Sequence, residues 1–104
     1  MKKIKLMADY ECFPLWEILD DGVENINPDS LSIPCSLKKS LREWAKVYDS
    51  TLNKIDPVNS GFITKIAEID FENEGMRLYQ ELQLHLGKKI NVIYFSRMET
   101  KLYV

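Results

Sequence analysis

The chain predicts an α+β fold, a two-layer sandwich in which a small sheet carries two main helices on one face. Three observations lead there. An alternating apolar segment opens the chain, two long stretches repeat apolar residues at helical spacing, and a nearly continuous apolar run follows them. The order strand, irregular segment, helix, helix, strand is best accommodated with the N- and C-terminal strands paired or neighbouring and short edge strands beside them. A length of 104 residues points to one domain spanning residues 1–104. About two-thirds of the unfolded surface would be buried, enough for a core without metal or disulfide staples.

Residues 3–9 read as the first strand, because Ile4, Leu6 and Ala8 alternate with Lys3, Lys5 and Met7. Pro14 lacks a backbone donor, so no regular central strand is expected around it, and an edge strand resumes at Leu15–Leu19. Asp20-Asp21-Gly22 has turn chemistry. Asn25 to Pro34 reads as an ordered loop pinned by Ile26, Leu31 and Ile33. The first helix is expected from Leu37 to Asn53 with Ser36 as its N-cap, and with Leu37, Leu41, Trp44, Ala45, Tyr48 and Leu52 along one stripe. Asp56-Pro57 and Asn59-Ser60-Gly61 break the chain.

The second helix is expected from Lys65 to Leu86, its stripe formed by Ala67, Phe71, Gly75, Leu78, Leu82 and Leu86. Glycine costs about 1 kcal/mol relative to alanine inside a helix, so Gly75 on the apolar stripe signals close approach to another element. Gly87 is placed for a C′ residue, with Lys88 and Lys89 favouring that end of the helix dipole. Residues 90–96 are apolar at nearly every position, the pattern of a strand covered on both faces. Residues 101–104 supply a short edge strand.

Composition narrows the function. A hydrophobic content of 45% with 11% aromatics argues for a packed globule and against disorder. No apolar run of about 18 residues exists, so no membrane helix is expected. Met1-Lys2-Lys3 is not followed by a long apolar stretch, which argues against a secretory signal and for the cytoplasm. Cys12 and Cys35 are then expected as free thiols, and with one distant His85 they provide too few ligands for zinc.

The net charge of −2 conceals an uneven distribution. No Lys or Arg lies between Lys5 and Lys38, a stretch holding Asp9, Glu11, Glu17, Asp20, Asp21, Glu24 and Asp29. A second base-free run between Lys65 and Arg77 holds Glu68, Asp70, Glu72 and Glu74. Such surfaces repel phosphate backbones and attract basic proteins.

No phosphate-cradling glycine motif, nucleophile elbow or zinc-protease motif is present. Cys12 and His85 read as a buried thiol and a surface imidazole rather than as nucleophile and base. The paired carboxylates Asp9/Glu11 and Asp20/Asp21 leave an alternative open, a small carboxylate-dependent hydrolase. Residues 20–29 are rich in oxygen ligands but lack the spacing of a calcium loop. Trp44 is assigned to the core. Trp16 either packs over Pro14 in the core or anchors an interface. No cofactor is expected. Acids, aromatics and irregular backbone coincide in residues 9–29, and Asp9, Glu11, Trp16, Asp20, Asp21 and Glu24 are the expected partner contacts.

Several segments also resemble a set of small bacterial proteins. They are Met7 to Trp16, Asn25 to Leu31, Trp44 to Asn53, Asp56-Pro57 and Ser60-Gly61-Phe62. That set is similar to the immunity proteins encoded beside polymorphic toxins, including those of contact-dependent growth inhibition systems. The resemblance extends to about Ser96 and leaves residues 97–104 as an extension. It implies a non-catalytic cytosolic protein that binds one toxin domain, in many cases a basic nuclease, and blocks it. A monomer is expected, the alternative being a homodimer paired through the edge at residues 101–104.

Overall fold

In a computed structural model of the chain, residues 2–56 and 60–104 are described. The first strand, β1 (Lys3–Leu6), pairs in parallel with β4 (Asn91–Ser96). A parallel pair needs a crossover, and here it includes both helices, α1 (Cys35–Asp49) and α2 (Lys65–Leu86). On the other side of β1 lie β2 (Leu15–Leu19) and β3 (Gly22–Ile26), both in antiparallel register, while β5 (Lys101–Tyr103) borders β4. The sheet order is β3-β2-β1-β4-β5.

The period of two assigns the faces. Ile4, Leu6, Leu15, Ile26, Val92 and Tyr94 point toward the helices and are buried. They meet Leu37, Leu41 and Trp44 of α1 and Phe71, Leu78 and Leu82 of α2 in one core. Leu31 and Ile33 pin the connecting loop into that core as expected. Within the loop, Pro28–Ser30 forms a 3-10 turn capped by the Asn27 side chain.

Gly75 explains its place on the apolar stripe. A Cβ there would lie 2.5 Å from Tyr94 Oη and 2.8 Å from Trp44 Cζ2, so the bare backbone lets α2 settle onto β4 and α1. α2 has the expected bounds, and Thr64 caps it by accepting a hydrogen bond from Ala67 N–H.

Several expectations are corrected. β1 ends at Leu6 rather than residue 9, because pairing with β2 stops at the bend before Leu15. Asn25 clamps that bend: its Oδ1 accepts from Phe13 N–H at 2.9 Å, and its Nδ2 donates to Phe13 O and Leu15 O. β2 has the expected bounds but is not an edge, since β3 runs beside it as the second arm of a two-residue hairpin. Its loop residues are Asp20 and Asp21, with Gly22 opposite Leu19 as the first residue of β3.

α1 starts at Cys35 and ends at Asp49, with Pro34 rather than Ser36 at its N-cap. Pro34 O accepts from both Leu37 N–H and Lys38 N–H, and the proline ring offers no side-chain acceptor, so the helix has no side-chain cap. Gly87 closes α2 with a right-handed φ of −61° instead of a left-handed one. β4 has helices on one face only, and Ile93 is buried on the opposite face without a covering helix. The expected break at 57–59 lies outside the described residues.

Candidate interaction site

The acids expected at a partner surface fall at both ends of the sheet. Asp9 and Glu11 follow β1, at the end where β4 also finishes. Asp20 and Asp21 form the β2–β3 turn at the other end. The four residue steps of β2 between these ends span about 13 Å. Trp16 lies between, on the sheet face away from the helices, half-buried, with its indole N–H donating to Met7 O at 3.0 Å. The chain therefore presents two acidic regions, not one patch.

At the β1 end, the turn carrying Asp9 and Glu11 is tied to α1 and to the residues after β4. Glu11, with a left-handed φ of 60°, donates its backbone N–H to Asp49 Oδ1 at 2.9 Å. The Thr51 hydroxyl donates to Tyr48 O at 2.7 Å, so the Tyr10 hydroxyl, 2.9 Å away, is the donor to Thr51. Arg97 donates from Nε to Ala8 O at 2.9 Å and lies 3.6 Å from Asp9 Oδ1. Its guanidinium rests over the rings of Tyr48 and Phe95. Burial first, then the charges of Asp9, Asp49 and Glu11, push the Cys12 thiol above its ordinary range. A protonated thiol is a poor nucleophile, and His85 sits near the opposite end of the fold, at the C-terminal turn of α2.

Between this turn and the first half of α2 is a recess of about 190 Å³, lined among others by Tyr10, Tyr48, Phe62, Glu68, Glu72 and Arg97. Glu72, one of the four acids in the second base-free run, is only 8% exposed. Its Oε2 accepts from Tyr94 Oη at 2.9 Å and Ser96 Oγ at 2.6 Å, while Met98 N–H approaches Oε1 at 3.4 Å. Sequence reasoning missed this role. Glu72 directly follows the stripe residue Phe71, which places it near the buried face.

Burial, then the charge and hydrogen bond of Glu72, raise the Tyr94 phenol well above its ordinary value of 10.0. Because the folded pKa is the higher one, this contribution to stability is complete below the unfolded value and is lost as pH rises through and beyond it. Unfolding measured between pH 8 and about 12 is expected to show a falling stability above about pH 10. Tyr94→Phe is expected to flatten that slope while lowering stability at neutral pH. An unchanged alkaline slope in the variant would exclude Tyr94 as its source.

The hairpin differs in having no internal compensation. Glu17 and Glu24 are directly opposed across β2 and β3, a cross-strand arrangement of like charges that is destabilising. Among the described residues, Glu17, Asp20, Asp21 and Glu24 have no ion pair. Asp29 does, with Arg42 at 2.6 Å, as do Glu68 with Lys65 and Glu74 with Arg77. Also among the described residues, no group of three His, Cys, Asp or Glu side chains gathers as a metal ion would require. Among the described residues, no helix is long and apolar enough to cross a membrane.

Comparison with protein families gives a match over residues 2–97 to the family described as Serratia CdiI immunity protein-like. Comparison with curated proteins gave no match. The matched range stops at the hairpin that leads into β5, so the expected extension is the edge strand, whose Tyr103 ring stacks on Tyr94 at 5.8 Å.

Proposed function

We infer that this chain, which belongs to the Serratia CdiI immunity protein-like family, binds a cognate toxin domain and neutralises it without catalysis of its own. The toxin is a basic nuclease, and the chain acts in the cytoplasm as a single-domain monomer. The observation that carries the surface assignment is the uncompensated charge of the β2–β3 hairpin. Four carboxylates stand together there, two of them directly opposed, and among the described residues none of the four is in an ion pair. A fold tolerates such repulsion at a cost that a basic partner would relieve. Asp20, Asp21 and Glu24 would meet Lys and Arg of the toxin, occupying the place of substrate phosphates. Asp9 and Glu11 would extend the contact at the other end of the sheet, with Trp16 as an anchor between them.

The test is association of the wild-type chain and D20K/D21K with the toxin domain encoded immediately upstream, followed by stopped flow across a salt series. The on-rate at low salt is expected to fall about tenfold or more, with a shallower salt dependence. An unchanged on-rate and salt slope would remove the hairpin from the interface. Failure of the wild-type chain to bind would remove the immunity reading itself.

A further inference from the structure

We propose that the recess beside Glu72 is a socket for one basic side chain, an arginine or lysine, of the toxin. This rests on the immunity reading and adds the chemistry of a particular contact.

Three features point to a cation. First, Glu72 is a buried carboxylate with no Lys, Arg or His nitrogen within ion-pairing distance among the described residues. Buried charges are normally paired, because desolvation without compensation is costly. Its Oε2 is served by two hydroxyls, whereas Oε1 accepts one long, weak hydrogen bond, from Met98 N–H at 3.4 Å. One oxygen thus retains capacity for a donor. Second, Tyr10, Tyr48 and Phe62 line the recess, and aromatic faces attract guanidinium and ammonium groups.

Third, the local charge is negative. Glu68, paired with Lys65 at 2.7 Å, lines the recess with the unpaired Glu72, and Asp9, Glu11 and Asp49 lie close enough to one another to act together on Cys12. The base among the described lining residues is Arg97, and its guanidinium is already engaged by Ala8 O, Asp9 and two rings. Size favours a side-chain tip over a small-molecule substrate. The recess holds about 190 Å³, below the roughly 300–1,000 Å³ of substrate pockets.

The experiment has two arms on the full chain. In the first, N-acetyl-arginine amide and its neutral analogue N-acetyl-citrulline amide are titrated while the amide signals of Gly61, Met98 and Glu99 are followed by NMR. Saturable shifts with the arginine compound, their absence with the citrulline compound, and a Kd raised about tenfold or more in Glu72→Gln are expected. An equal response to both compounds, or none to either, overturns the socket.

In the second arm, Glu72→Gln and Glu68→Gln are compared with wild type for binding the toxin domain encoded immediately upstream. Glutamine keeps an acceptor for Tyr94 and Ser96, and a thermal melt confirms folding. Glu68 bonds neither of them, so its variant separates a binding defect from a folding defect. A Kd about 30-fold higher or more for Glu72→Gln is expected, with a few-fold rise for Glu68→Gln. If wild type binds the toxin and both variants bind it equally well, the socket is overturned and the immunity reading stands. If wild type does not bind the toxin although arginine fills the recess, the immunity reading fails and the cation socket remains.

Discussion

Replacing Trp44 with alanine is expected to lower the free energy of unfolding by about 3–5 kcal/mol. The side chain is 3% exposed and joins three elements. Its ring stacks on Phe71 with centroids 4.5 Å apart, and it meets Tyr94 edge-on at 6.3 Å. Its indole N–H donates to Phe71 O at 2.9 Å. The adjacent α2 position, Gly75, has no side chain to move into the space it leaves. A small domain has about 5–15 kcal/mol in total, so the loss would be a large share of it. Urea unfolding measures the change, with an unaltered m-value showing that the two end states are the same. A loss below about 1 kcal/mol would mean that the α1–α2 contact closes up around the hole, contrary to the packing described.

Glu72→Ala is expected to cost about 2–4 kcal/mol, and Glu72→Gln clearly less. The carboxylate is the acceptor for two buried hydroxyls from β4, on Tyr94 and Ser96. Alanine leaves both donors without a partner, and each orphaned group costs about 1–3 kcal/mol. The relief of no longer desolvating a charge offsets part of this. Glutamine keeps one carbonyl oxygen in place and removes only the charge. Comparing the two variants by denaturant titration separates the hydrogen-bonding role from the electrostatic one. Equal losses for alanine and glutamine would show that the negative charge, and not the acceptor, is what holds β4.

The expectations held where one local signal decides the outcome. α2 was legible residue for residue because its apolar stripe is long and Gly87 follows it. The pinning of the loop by Leu31 and Ile33 followed from apolar residues set among turn formers, whereas Asn25 and Ile26, expected in that loop, belong to β3. Failures came where two local signals compete. At residues 20–26 the turn at Asp20-Asp21-Gly22 was legible, but the strand that follows it was not. The second arm, Gly-Val-Glu-Asn-Ile, has little apolar content of its own, and its place is set by pairing with β2. Ser36 was a credible cap by type, yet the helix begins one residue before it, with Pro34 O receiving Leu37 N–H and Lys38 N–H.

The candidate site was legible in composition but not in space. The sequence by itself determined that bases are absent between Lys5 and Lys38. It also determined that the chain folds as terminal strands with two helices between them, because hydrophobic period and chain order depend only on the residues. The tertiary structure alone decided how the carboxylates divide. Strand direction sends Asp9 and Glu11 to one end and Asp20 and Asp21 to the other. The i to i+13 reach from Asp29 to Arg42 neutralises one acid. The packing of α2 on β4 draws Glu72 inward, against Tyr94 and Ser96. A linear run of charges carries no information about which members are paired, opposed or buried. Those properties depend on distances between residues far apart in the chain, and only the pairing of strands and the packing of helices sets them.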